Sequence, residues 1–85
     1  MSLRQAMLDL MRATADDVTV QEALASEIAD VATGMEAAGC AREAATLRTL
    51  SRGHRIKALE LQACLVTLIG EYATLFPDAK LNGFT

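Results

Sequence analysis

The sequence predicts an all-α protein of three helices, over about residues 3–15, 19–38 and 41–76, whose antiparallel bundle is completed by dimerisation. Apolar residues recur at intervals of three and four along most of the chain, and this spacing places them on one face of an α-helix. With 52% hydrophobic residues among 85, the chain has enough apolar surface to offset its ordering entropy. We therefore expect one helical domain over residues 1–85, with residues 77–85 as a short tail.

The first two helices are predicted from a break between two apolar stripes. Asp16 and Asp17 close the first helix, and Thr19 with Glu22 forms the capping-box pattern that satisfies free amides at the start of a new helix. Gly39 follows the second stripe and favours a left-handed cap. The stripes consist of Leu3, Met7, Leu10, Met11 and Thr14 in the first helix and of Leu24, Ile28, Val31, Met35 and Ala38 in the second.

The third helix is predicted from one apolar face that persists to the C-terminal part of the chain. Gly53 points away from this face, so we expect one continuous helix; a break at Gly53 is the alternative. Pro77 ends the helix, because proline cannot donate a helical hydrogen bond. The face consists of Leu47, Leu50, His54, Ala58, Leu61, Leu65, Leu68, Tyr72 and Leu75.

The length of the third helix predicts a partner. It would measure about 54 Å, whereas a compact chain of this size is about 30 Å across. Leu61, Leu65, Leu68 and Tyr72 are expected to bury against the chain's own helices. A second row, Leu59, Val66 and Ala73, is expected to contact a partner. Together these seven residues form the predicted interface of a homodimer; a closed monomer is the alternative, and another helical protein is the other possible partner.

Composition excludes several classes of partner. The net charge of −3 and the scarcity of aromatic residues, two Phe and one Tyr without Trp, argue against nucleic-acid binding. The longest apolar run, residues 63–70, is too short to span a bilayer, and Asp9 interrupts any N-terminal signal. We expect a cytoplasmic protein without membrane contact, in which Cys40 and Cys64 are reduced, buried small side chains.

The residues that usually carry catalysis are scattered in this sequence. No Glu-x-x-His pair marks a di-iron site, and His54 lies about 15 Å along the helix from Cys64. We expect no metal, no cofactor and no enzymatic activity. Arg48, Arg52 and Arg55 share one side of the third helix, where they form either a docking patch or ion pairs with acidic residues of the second helix; we favour the ion pairs.

One short segment suggests a different function. Gly53-His54-Arg55-Ile56-Lys57-Ala58 resembles the segment around the phosphorylated histidine of histidine phosphotransfer domains, over these six residues. The resemblance implies that His54 accepts a phosphoryl group and that Lys57 helps to hold it, although Ala58 replaces the family's glycine. His54 itself lies within the apolar stripe, which favours burial. The function expected first is therefore a small helical protein-interaction or scaffolding module, and phosphotransfer is the alternative.

Overall fold

The chain folds as a hairpin of two long antiparallel helices. The computed structural model describes residues 2–78, in which α1 spans Leu3–Ala37 and α2 spans Ala41–Leu75, each 35 residues long. The hairpin measures 58 × 20 × 17 Å, and no strand occurs in the described part of the chain. The all-α prediction is confirmed, but the prediction of three helices is wrong.

α1 runs without a break through the predicted boundary at residues 16–19. The Thr19 hydroxyl donates to the Ala15 carbonyl at 3.4 Å, and the Gln21 amide donates to the Asp17 carboxylate at 3.4 Å, so both motifs make contacts typical of a helix interior. An aspartate inside a helix costs about 0.7 kcal/mol at most relative to alanine. Burial of Thr14 and Val18, on either side of Asp16 and Asp17, outweighs this weak preference of aspartate against the helix interior.

The turn and α2, which was predicted as the third helix, follow the sequence prediction closely. Gly39 has a φ of 85°, the left-handed conformation expected of it, and the Cys40 amide donates to the Met35 carbonyl at 2.8 Å. α2 is continuous through Gly53, as predicted, and ends at Leu75, one residue before the predicted end. At the start of α1, the Ser2 hydroxyl caps the helix by accepting from the Gln5 amide at 3.1 Å.

A single seam between the two helices forms the core. Its buried residues are spaced by seven or fourteen positions, or by three and four, which is the spacing of coiled coils. Most of them are small, which lets the helices approach closely. They are Met11, Thr14, Val18, Ala25 and Ala32 in α1, with Ala44, Ser51, Ala58 and Tyr72 in α2. We call this set the central seam.

The stripe predicted for residues 19–38 is rotated by about one position relative to the real seam. Ala25 and Ala32 are fully buried, whereas Leu24 and Val31 are 37% and 55% exposed. Size explains the error, because the sequence pattern ranks leucine and valine above alanine as core residues. In this hairpin the closely spaced helices select alanine for the core and leave the larger side chains outside.

The helix-length reason for predicting a dimer is also wrong. The sequence prediction placed only a short helix beside α2, but α1 is as long as α2 and accompanies it over its whole length. At the open end, the Arg4 guanidinium donates to the Tyr72 hydroxyl at 2.8 Å and lies 5.9 Å from the ring centre of Phe76. Of the predicted tail, residues 79–85, including Gly83 and Phe84, lie outside the described part of the chain.

Candidate protein-interaction surface

Two polar contacts occupy the middle of the central seam. The Ser51 hydroxyl donates to the Ala25 main-chain carbonyl at 2.7 Å, and His54 Nδ1 lies 2.6 Å from Gln21 Oε1. Because the glutamine oxygen only accepts, His54 Nδ1 carries the proton in this hydrogen bond. No buried side-chain polar atom in the described residues lacks a partner. These contacts fix the alignment of α1 against α2.

His54 occupies a structural position. It is half-buried between the helices with one ring nitrogen held by Gln21, as its place in the apolar stripe predicts. Lys57 is exposed one turn further along α2, and Ala58 is 2% exposed within the central seam. The phosphotransfer hypothesis requires an accessible imidazole nitrogen, and the engagement of Nδ1 leaves only Nε2 for that role.

The three arginines of the predicted docking patch lie together beside the seam. Arg48 forms an ion pair with Glu36 at 2.7 Å, which agrees with the preferred ion-pair interpretation for this residue. Arg55 donates to the Ser51 hydroxyl at 3.3 Å, and Arg52 is exposed. With Ala29, these residues line an open cleft of 170 Å³.

Charge on this flank lowers the pKa of Glu36 below its usual range. The hydrogen bond from the Arg48 guanidinium is the main cause, and the charge attraction between the two groups adds to it. Both side chains remain open to water, so the pair contributes little to folding stability.

The predicted interface residues separate into two groups in the structure. Tyr72 is 1% exposed in the central seam, and the leucines of the first group lie on the same face of α2 and are half-buried. Leu59 and Val66 are 64% and 70% exposed on the arginine side of α2, and Ala73 is exposed at the next position of the same row. We call Leu59, Val66 and Ala73 the α2 row. The half-buried residues of the first group are Leu61, Leu65 and Leu68.

A larger apolar surface was missed in the sequence. By helical spacing it lies on the flank of the hairpin opposite the arginines, where the exposed Leu10, Leu24 and Val31 of α1 share one side with Leu50 and Cys64 of α2. Leu10, Val31 and Leu50 are each more than half exposed. We call these five residues the leucine flank. The signal in the sequence was a second set of apolar residues in α1, spaced by seven or fourteen positions. The sequence prediction divided this set between two separate helices, so the repeat was not recognised.

Both cysteines were expected to be buried, and neither of them is. Cys64 is exposed on the leucine flank and Cys40 is half-buried at the start of α2, and both are free thiols. Within residues 2–78, no three His, Cys, Asp or Glu side chains come together in a group that could hold a metal ion.

The exposed apolar side chains also make α2 unusual in composition. By length and composition alone, α2 is apolar enough to cross a membrane, with a mean hydropathy of 1.2 over its most apolar stretch, of which 11% is buried. Glu60 and Glu71 interrupt this apolar sequence. The helix therefore has far more apolar surface than its single seam with α1 covers.

Comparisons with protein-family models, with curated proteins and with solved structures find no match to this chain.

Proposed function

We propose that this chain is a protein-interaction module that assembles with a second copy of itself through the uncovered apolar surfaces of its hairpin. One observation carries the proposal: ten large apolar side chains among residues 2–78 are exposed by more than a third. They are Leu3, Leu10, Val20, Leu24, Val31, Leu50, Ile56, Leu59, Val66 and Leu75. We further propose that the module is cytoplasmic and has no catalytic activity of its own.

The shape of the hairpin supports this proposal. Its accessible surface is 5847 Å², against about 4,900 Å² for a typical monomer of the same mass. Two helices packed in one layer bury one face each, and a second layer is the usual way to bury the others. A contiguous apolar surface on a soluble protein generally marks an interaction site.

Recognition would be of one helix by another. The leucine flank and the α2 row are both long helical surfaces whose apolar residues are spaced by seven or fourteen positions. Such surfaces accept another helix lying along them, with side chains of one helix filling the spaces between those of the other. Another helical protein with the same repeat would also fit them. Assembly of this kind would let the hairpin serve as a scaffold.

Light scattering after size exclusion tests the proposal on the full chain. We expect a mass of about 18 kDa, twice the 9.1 kDa of one chain, at micromolar concentration. Leu24→Glu and Val66→Glu each place a charge on one of the two surfaces, while Ala23→Glu, on the outer side of α1, is the matched control. A wild-type protein that stays at 9.1 kDa up to high micromolar concentration contradicts the proposal.

Phosphotransfer is the competing hypothesis, and a direct assay separates it from assembly. It predicts that His54 becomes phosphorylated by a small-molecule phosphodonor and that a His54→Gln variant does not. We expect no incorporation, because His54 faces α1 and is hydrogen-bonded to Gln21. Phosphate on His54 of the folded wild type would favour the competing function.

A further inference from the structure

We propose that the second copy packs on the leucine flank, related by a two-fold axis parallel to the helices, so that both turns of the resulting four-helix bundle lie at the same end. This inference rests on the proposed self-assembly and adds the surface and the symmetry. In this arrangement α1 of each copy contacts α2 of the other copy, and all neighbouring helices are antiparallel.

The hydrogen bonds in the central seam determine which residues of the leucine flank lie at the same height. Ser51 reaches Ala25 and His54 reaches Gln21, so the neighbouring residues Leu24 and Leu50 lie side by side across the hairpin. One heptad in either helix corresponds to about 10 Å. Because the helices are antiparallel, each successive layer toward the open end lies seven residues earlier in α1 and seven residues later in α2.

The layers toward the open end alternate in character. Seven residues from Leu24 and Leu50 are Asp17 and Lys57, and seven further are Leu10 and Cys64. The flank thus presents an apolar layer, then a layer with one negative and one positive side chain, then a second apolar layer. Asp17 is half-buried, whereas Lys57 and Cys64 are exposed.

An axis parallel to the helices places each layer against the same layer of the second copy. Leu24 then meets Leu50 of the other copy, and Asp17 meets Lys57 of the other copy. The four charged residues alternate in sign around the bundle. A charged layer inside an apolar interface is a known means of fixing the alignment of helices.

The other face-to-face arrangement, with the axis perpendicular to the helices, lacks this match. With the axis at the height of the charged layer, it brings Lys57 against Lys57 of the second copy and Asp17 against Asp17 of the second copy. Like charges face each other, and a carboxylate loses water without gaining a partner, which is unfavourable. The pattern along the flank therefore selects between the two symmetries.

The total charges of the helices support the same choice. α1 carries two basic and seven acidic residues, whereas α2 carries five basic and three acidic residues, with His54 counted as neutral. The parallel axis pairs α1 with α2 across the interface, and the perpendicular axis pairs α1 with α1 and α2 with α2. Attraction between unlike helices favours the parallel axis.

The flank also has the area and shape that a second copy requires. The hairpin is 58 Å long and 20 Å wide, so one flank has room for the about 800 Å² per partner of a standard protein interface. Ala63, Cys64, Thr67 and Leu68 line a shallow hollow of 430 Å³ on α2. At this height the parallel axis brings Leu10 of the second copy against α2, so that its side chain fills the hollow.

The α2 row lies on the arginine side of the hairpin, away from the leucine flank, and stays outside this bundle. Leu59 lines a different cleft, with Glu22, Ser26, Arg55 and Ala58, on the arginine side of the hairpin. Val66→Glu is therefore a matched control for Leu24→Glu, since both replace an exposed aliphatic side chain by the same charged one. Helicity measured by circular dichroism shows that each variant still folds.

Light scattering over a dilution series identifies the surface. We expect Leu24→Glu to weaken dimerisation at least tenfold, while Val66→Glu leaves it unchanged within twofold. The reverse pattern, with Val66→Glu dissociating and Leu24→Glu still dimeric, overturns this inference and leaves the proposed self-assembly standing. A monomeric wild type overturns both.

The symmetry is tested with a spin label on Cys40, beside the turn, in a Cys64→Ser variant that light scattering shows to be dimeric. With the parallel axis, the two labels lie at one end of the bundle, within about 20 Å, or two interhelical spacings. With the perpendicular axis, they lie at opposite ends, about 50 Å apart, the length of a 35-residue helix. Pulsed electron paramagnetic resonance distinguishes these distances, and the long one overturns the inference.

Discussion

The Ser51 hydroxyl of α2 donates a 2.7 Å hydrogen bond to the main-chain carbonyl of Ala25 in α1. Both residues are buried, at 2% and 0% exposure. A side chain as short as serine reaches another helix's backbone only where the helices approach closely. Ala25, opposite it, has no more than a methyl group to hold the helices apart.

Replacing Ser51 therefore tests how closely the helices pack. Ser51→Ala keeps the space and loses one hydrogen bond, so we expect a loss of about 1 kcal/mol in the free energy of unfolding. Ser51→Leu forces the helices apart and should cost about 1–3 kcal/mol through overpacking. Urea denaturation at one fixed protein concentration measures both. A Leu variant as stable as the Ala variant would show that the seam is looser than described.

The hydrogen bond between His54 and Gln21 should show strong coupling. Gln21→Leu or His54→Leu alone leaves a half-buried polar group without its partner, at a cost of about 1–3 kcal/mol. The double variant removes both polar groups, so its loss should be smaller than the sum of the single losses by about 0.5 kcal/mol or more. Purely additive losses in urea denaturation would contradict this coupling.

The continuity of α1 predicts the effect of Thr19→Ala. Replacing a threonine that caps a helix by alanine lowers the free energy of unfolding by about 1 kcal/mol. Thr19 instead lies exposed inside α1, where alanine is the better helix former by about 0.5 kcal/mol. We expect the thermal midpoint to stay the same or rise, with Thr33→Ala, another exposed threonine of α1, behaving alike. A clear loss specific to Thr19→Ala would indicate a helix start at this position.

Two glycines should respond in opposite directions to the same substitution. Gly39→Ala forces a side chain into the left-handed conformation at a φ of 85°, which should cost about 1–2 kcal/mol. Gly53→Ala adds a methyl group with no atom within 4 Å inside a continuous helix, and should gain up to about 1 kcal/mol. Thermal unfolding of the pair measures both. Destabilisation by Gly53→Ala would place a bend or turn at that residue.

The Glu36–Arg48 ion pair makes a prediction about pH. Arg48 lowers the pKa of Glu36 in the folded chain, so the pair's stabilisation is present above the unfolded carboxyl's pKa. It is lost as the pH falls through the lowered folded pKa. Arg48→Ala should raise the Glu36 pKa to the ordinary range for glutamate in an NMR titration. A Glu36 pKa that is the same with and without Arg48 would contradict the ion pair.

The sequence was sufficient to predict the elements in which local signals and apolar spacing agree. The left-handed cap at Gly39 and the unbroken α2 are confirmed, and the structure accounts for both, since the apolar phase is the same before and after Gly53. In α1 the local signals and the spacing disagreed. Thr19 and Glu22 match a capping motif, but the seam continues from Val18 to Ala25 straight through it.

The surface was harder to predict than the fold, because apolar periodicity alone does not say which stripe faces the partner helix. Leu24 and Val31 were assigned to the core, yet the close approach at Ser51 reserves the core for Ala25 and Ala32. Only the contacts between helices determine that choice. The outward position of Leu59 and Val66 was nonetheless foreseen, because they lie far around the helix from the stripe that contains Tyr72.

The near-ultraviolet signal of Tyr72 reports on the open end of the hairpin separately from the rest of the molecule. Tyr72 is the one tyrosine in a chain without tryptophan, and it is buried beside Arg4 near the open end, far from the turn. Its near-ultraviolet signal therefore follows the separation of the start of α1 from the end of α2, while far-ultraviolet circular dichroism follows the helices as a whole. A hairpin that unzips from its open end gives an earlier transition at Tyr72, and one that unfolds as a unit gives coincident curves.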